Sequence, residues 1–211
     1  MLTRDLPLDP AASALLYIDV QNYNARRDGG EWEGMSAQDF EAKLGWFFEE
    51  FEGRVLPNMQ AVQRAARGAG VEVLYTVIES LTKDGRDRSL DYKITGFNVP
   101  KGSWDAQVLE AIAPGEDEIV LPKTSSSVFI STNIDYVLRN LGVRQVAISG
   151  LLTDQCVESA VRDACDMGFL VTLVTDACLT YSAERQANSL SAIKGYCRQV
   201  TTAELIAELG G

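Results

Sequence analysis

The chain has 211 residues, 46% of them hydrophobic and 23% charged, the size and composition of a single globular domain (residues 1–211) with a substantial core. Its net charge of −11 argues against nucleic acid or an anionic membrane as partner, since both require basic patches. It has no histidine, which excludes Cys–His and Ser–His catalytic pairs and any imidazole metal site.

The N-terminus, Met1 to Pro7, lacks the apolar centre of a signal peptide, and no apolar run reaches the ~20 residues that span a bilayer, so a cytoplasmic location is expected. Residues 14–20 form a first buried strand that carries a carboxylate, Asp19, at its end. Such a carboxylate either caps the following turn or pairs with an arginine, or it faces a ligand, since ligands bind outside the carboxyl ends of strands in open α/β sheets. Gln21 to Met35 is polar and contains glycine and Trp32; it reads as a long loop over the sheet edge. Phe40 to Ala69 is an amphipathic helical region in which Pro57 is expected to start a fresh helix. Val71 to Ile78 is the second strand, completing a βαβ unit. Glu79 to Pro100 reads as an irregular charged insertion at the pocket mouth or an oligomer contact, and a short helix is expected over Ala106 to Ile112. Glu118 to Lys123 is a third strand ending in a lysine, followed by a hydroxyl-rich turn and a helix over Asn133 to Leu141. Val146 to Ile148 is a central strand, punctuated by Gly150. Thr153 then reads as the N-cap of a helix with Cys156 in its first turn, where backbone N–H groups and the helix dipole favour a thiolate or an oxyanion. Cys156 reads equally as a small buried hydrophobe or as a nucleophile at this point. Leu170 to Val174 forms a further strand, Ser182 starts a helix to about Tyr196, Val200 lies in a brief last strand, and Ala203 to Leu209 closes with a helix. The remaining cysteines, Cys165, Cys178 and Cys197, show no CxxC spacing and are expected to stay thiols, Cys165 and Cys178 as structural ones.

Strands alternating with helices predict a three-layer α/β/α sandwich on a mostly parallel sheet. Asp19, Lys123 and Cys156 each fall at the carboxyl end of a strand, so one sheet edge can bring them together. They then divide a hydrolytic reaction. Cys156 attacks an amide-like carbonyl, Asp19 moves the proton, and Lys123 favours the thiolate and keeps Asp19 ionised.

Three segments carry a family resemblance: Tyr17 to Asn22, Pro122-Lys123 with Phe129 six residues on, and Gly150 to Val157, supported by Ala160, Asp163-Ala164, Gly168 and Asp176-Ala177. The chain resembles the isochorismatase-like cysteine hydrolases, which include nicotinamidases, N-carbamoylsarcosine amidohydrolases, ureidoacrylate hydrolases and biuret hydrolases. The resemblance implies Asp19, Lys123 and Cys156 as catalytic residues, a six-stranded sheet in the order 3-2-1-4-5-6, a cis Leu151–Leu152 peptide that aims the N–H groups of Leu152 and Cys156 at an oxyanion, and a homodimer or homotetramer. Nicotinamidases of this family hold a metal through an aspartate and histidines, which this chain cannot reproduce; no cofactor and no metal are expected. Vinyl-ether-cleaving isochorismatases lack the nucleophilic cysteine, so Cys156 points to C–N bond hydrolysis. Where the family usually has Asp-Phe after Gln21-Asn22, this chain has Tyr23-Asn24, which changes one pocket wall.

The expected activity is therefore a metal-independent amidohydrolase acting on a small-molecule amide, ureide, lactam or hydrazide. Asn22, Tyr23, Trp32, Glu79, Trp104 and Phe129 are the candidate substrate-binding residues, because they lie on strand-end loops or match pocket-facing family positions. Two other readings stand beside it: a catalytically silent binding protein, and a thiol redox protein using Cys156.

Overall fold

A computed structural model describes residues 3–210. The strands are β1 (Ser13–Ile18), β2 (Glu72–Ile78), β3 (Ile119–Lys123), β4 (Gln145–Leu151), β5 (Leu170–Leu179) and β6 (Arg198–Val200). They form one sheet in the order β3-β2-β1-β4-β5-β6, every pairing parallel. The helices are α1 (Asn22–Ala25), α2 (Ala37–Glu50), α3 (Leu56–Ala69), α4 (Leu90–Thr95), α5 (Val128–Ser131), α6 (Ile134–Asn140), α7 (Glu158–Asp166), α8 (Ala183–Ile193) and α9 (Thr202–Glu208). This is the α/β/α sandwich that the alternation of strands and helices predicts.

The layers follow from the period of two along the strands. Leu15 and Tyr17 of β1 join Phe47, Phe48, Met59 and Val62 in a core under α2 and α3. Ala14, Leu16 and Ile18 point to the opposite face, where Ile134, Leu138, Val157, Ala160 and Val161 cover them. All six β1 residues are buried, as expected of a parallel strand covered on both faces.

Several local expectations are corrected by tertiary contacts. Residues 106–112 do not form a helix. Two 3₁₀ turns, Trp104–Ala106 and Glu110–Ile112, flank an extended piece in which Val108 bridges Gln21 and the Leu109 N–H donates to the Val20 carbonyl at 2.9 Å. Pairing to the end of β1 outweighs the weak local helix preference. Thr153 is not an N-cap. Leu152, in extended backbone, takes that place, its carbonyl accepts from both Gln155 and Val157, and the helix opens with a wide π turn over Thr153–Val157. A second π turn, Phe51–Val55, lies between α2 and α3, and Pro57 sits in the first turn of α3, the fresh helix expected there. The polar segments also hold short helices, α1 and α4, that the composition does not announce.

Gly150 needs to be a glycine. Its φ is +141°, and a Cβ would sit 2.3 Å from the Ile18 carbonyl oxygen and 2.6 Å from the Ile18 nitrogen. Those are backbone atoms of β1, one residue before Asp19, and they cannot swing away. Gly150→Ala is expected to lower stability by about 3 kcal/mol, combining overpacking with backbone strain. A urea melt of the variant checks this; an unchanged midpoint would contradict it.

Candidate active site

Three strand ends build the site. Asp19 follows β1 directly, and its left-handed backbone (φ +53°) is one that a short polar residue tolerates better than most. Two bonds to β2 fix it: its N–H donates to the Thr76 carbonyl at 3.0 Å, and Thr76 Oγ1 donates to Asp19 Oδ1 at 2.9 Å. Lys123 is the last residue of β3 and pairs with Ile78 of β2. Its side chain is wholly buried, its stem carrying the ammonium beneath the sheet edge to Asp19. Cys156 lies in the π turn after β4, which is clamped from the neighbouring elements. Asp154 accepts from Thr180 Oγ1 and from Arg185 Nε, each at 2.5 Å, and Ser189 Oγ donates to the Thr153 carbonyl at 3.2 Å. The Leu151–Leu152 peptide before the turn is cis.

Lys123 Nζ is the hub. It donates to the Ser125 carbonyl at 2.8 Å, to Tyr92 Oη at 3.3 Å and to Cys156 Sγ at 3.4 Å, which accounts for the three donors of an ammonium. Asp19 Oδ2 lies 2.8 Å from the same nitrogen and forms a buried ion pair with it. Burial opposes the Lys123 charge, yet Asp19, Cys156 and Tyr92 around it raise its pKa well above the ordinary lysine value. The ammonium therefore stays charged. For Cys156 the balance differs from the sequence expectation of an easily ionised thiol. Burial pushes its pKa up to about 12; Lys123 lowers it, and Asp19 raises it further by charge and hydrogen bonding. At neutral pH the resting state is a thiol beside a Lys–Asp ion pair.

Above this cluster opens a cavity of about 470 Å³. Asp19, Cys156, Leu151 and Leu152 form its floor, Asn24, Glu31, Asp91 and Tyr92 stand among its polar walls, and Ile78, Phe97 and Tyr181 supply apolar surface. Other depressions lie away from the three strand ends.

Residues 13–205 match the family model for the isochorismatase domain, nearly the whole chain. The chain belongs to the isochorismatase family. It is 26% identical to the ureidoacrylate amidohydrolase RutB of Rhizobium rhizogenes over 94% of this chain and 87% of that one. Among solved structures, a cysteine hydrolase from Pseudomonas syringae pv. phaseolicola superposes with a TM-score of 0.81 at 24% identity, covering 97% of this chain and 95% of that one. The N-carbamoylsarcosine amidase of Thermoplasma acidophilum superposes with a TM-score of 0.67 at 23% identity, covering 90% and 96%.

Within this isochorismatase-family chain, Asp19, Lys123, Cys156 and Leu152 converge, and the six expected substrate contacts do not. Asn22 is buried and donates its amide to the Trp104 carbonyl at 2.9 Å. Tyr23 packs edge-on against Phe97, a second layer behind the cavity wall. Trp32 turns into the core against Phe40 and Phe48, its Nε1–H donating to the Arg26 carbonyl. Glu79 accepts from the Gly102 N–H at 2.6 Å, a loop clasp. Trp104 is 46% exposed under the Arg26 guanidinium, outside the cavity. Phe129 packs on Phe169 beneath α7. Of the side chains that do line the walls, Asn24 and Glu31 are sequence neighbours of Tyr23 and Trp32; Asp91, Tyr92 and Phe97 come from the 79–104 segment; and Tyr181 comes from the β5–α8 connection. The one available signal was the Tyr23-Asn24 departure, which marks this wall and whose second residue faces the cavity.

Glu31 is held by a 2.8 Å bond from Tyr181 Oη. Burial raises its pKa from 4.5 to about 7, with the Tyr181 bond pulling the other way. The folded state thus holds a proton that the unfolded chain has lost, and Glu31's contribution to stability falls as pH rises from about 4.5 through 7. Glu31→Gln removes that penalty and keeps an acceptor for Tyr181. Thermal melts should match wild type near pH 4.5 and show the variant more stable, by about 2 kcal/mol, above pH 7. An advantage that does not grow with pH would place the charge in water.

Proposed function

We propose that this chain is a metal-independent cysteine amidohydrolase that opens a C–N bond of a small amide, ureide, lactam or hydrazide through a thioester on Cys156. One observation carries the reading: a single buried ammonium, Lys123, touches both Asp19 (2.8 Å) and Cys156 Sγ (3.4 Å) at the floor of a substrate-sized cavity. Asp19, held beside the thiol by Lys123, takes the thiol proton as sulfur attacks the carbonyl carbon and the C–S bond forms. The N–H groups of Leu152 and Cys156 receive the tetrahedral oxyanion, each such donor contributing about 3 kcal/mol. The C–N bond then breaks and Asp19 returns the proton to the leaving nitrogen. A water, deprotonated by Asp19, attacks the thioester; the C–S bond breaks, the acid leaves, and the thiol is restored. Lys123 keeps Asp19 anionic between steps and steadies the thiolate as it develops. The ureide substrates named for the ureidoacrylate and carbamoylsarcosine relatives support placing this chain among C–N hydrolases.

A redox role has weaker support, because the buried thiol is protonated at neutral pH whereas redox sensors work as exposed thiolates. The test is a panel of nicotinamide, biuret, ureides, N-carbamoyl amino acids, lactams and acyl hydrazides, offered without added metal, with ammonia release and intact mass recorded. Turnover of one compound with an acyl adduct on Cys156 is expected. Peroxide oxidation of Cys156 with no adduct and no turnover across the panel would favour the redox reading.

The same reading includes a homodimer or homotetramer in the cytoplasm. Leu90 and Ile94 on α4, and Ile130 and Tyr136 on α5 and α6, are each at least 70% exposed and offer apolar surface for such contacts. Among the described residues no helix is long and apolar enough to cross a membrane.

A further inference from the structure

The cavity walls are unbalanced in charge. Among the lining residues are three carboxylates, Asp19, Glu31 and Asp91, and neither lysine nor arginine. Lys123 at the floor is already committed to Asp19, and Arg185, which lies over the Tyr181 ring, is committed to Asp154. Glu31 Oε1 accepts from Tyr181, and no lysine or arginine lies within ion-pair distance of Glu31 or Asp91 among the described residues. A second observation is independent of charge. Asn24 is 5% exposed and lines the cavity, and its Oδ1 has no hydrogen-bond partner among the described residues. Folded proteins leave few buried polar atoms unpaired; Oδ1 is itself sealed from water, and a small rotation of the Asn24 side chain at the cavity wall lets a ligand N–H satisfy it.

We infer that the cavity selects substrates that are neutral or positively charged beyond the scissile bond and that carry N–H donors there, with Glu31 and Asn24 as the specificity-determining acceptors, and that it rejects substrates bearing a carboxylate. The inference rests on the amidohydrolase reading of the same cavity. A substrate N–H or ammonium group meets Glu31 and the orphaned Asn24 oxygen; a substrate carboxylate meets two acidic walls with no cation to hold it. The net charge of −11 further repels anions during approach. Glu31 also lowers the stability of the fold once ionised, as residues kept for ligand recognition often do.

The test uses small alkylating reagents of matched size and different charge on the intact protein at mildly alkaline pH: iodoacetamide, iodoacetate and 2-bromoethylamine. Each rate on Cys156, located by peptide mass, is divided by the same reagent's rate with 2-mercaptoethanol. Iodoacetate is expected to be slower than iodoacetamide by about ten-fold, with 2-bromoethylamine at least as fast as iodoacetamide. Glu31→Gln should narrow the iodoacetate gap several-fold. Asn24→Leu, which removes an acceptor and no charge, should slow iodoacetamide and leave iodoacetate unchanged. Equal normalised rates in the wild-type protein would overturn the inference and leave the nucleophile intact. No alkylation of Cys156 by any reagent would instead remove the nucleophile on which both readings stand.

Discussion

Cys156→Ala is expected to abolish turnover, with kcat falling about 10⁴-fold or more while substrate still binds. The size of the loss follows from the chemistry the cavity floor offers. Burial pushes the thiol up and keeps it protonated at neutral pH, so the proton must leave in concert with attack. Nothing else on the floor replaces sulfur: Asp19 is bound to Lys123 and Thr76, and Ser126, though it lines the cavity, has no hydrogen bond to either Lys123 or Asp19 that would activate its hydroxyl. The fold should tolerate the change, since truncating one small side chain in the core under α7 leaves only a small void. Cys156→Ser keeps the shape and tests the nucleophile itself; its hydroxyl is harder still to deprotonate, so it should approach the alanine variant in rate. Single-turnover kinetics with intact-mass detection measure both. An acyl adduct on wild type and none on either variant is the expected record; residual turnover within ten-fold of wild type would move the nucleophile elsewhere.

The convergence of these three residues was legible because it depends on backbone rules. A parallel sheet places all strand ends on one edge, and register then fixes the neighbours: Ile18 opposite Gly150, and Ile78 opposite Lys123. Apolar runs, Gly150 and the terminal charges all stand in the sequence. The walls obey no such period. In the loop after β1, Trp32 turns inward to Phe40 and Phe48 while Glu31, one residue earlier, faces the cavity; the choice is made by α2, which the loop does not encode. In the same way Tyr92 reaches Lys123 because α4 folds back over β3, its Ser89 N–H donating to the Thr124 carbonyl at 2.9 Å. The state of the thiol was misread for a related reason. Proximity to a lysine can be inferred from sequence, but the degree of burial that outweighs it cannot.

Single replacement of either member of the buried ion pair should damage stability and activity together, whereas joint replacement should separate them. Both side chains are at most 1% exposed, so Lys123→Met leaves Asp19 charged in the interior and Asp19→Asn leaves the ammonium without its anion. Breaking a buried pair in this way costs about 3–5 kcal/mol. The Asp19→Asn/Lys123→Met double variant removes both charges and should recover most of that loss, since apolar and neutral groups of similar size can fill the site as well as the pair does. Activity should not return. On the proposed mechanism Asp19 carries the proton in both half-reactions, so each single variant and the double should all lose at least about 10³-fold in kcat. A double-mutant cycle on denaturation midpoints, run beside kcat on the same four proteins, makes the comparison. Additive stability changes would mean that the two charges are not coupled as their 2.8 Å contact requires. Recovery of kcat in the double variant would mean that the pair holds the fold and that some other group moves the proton.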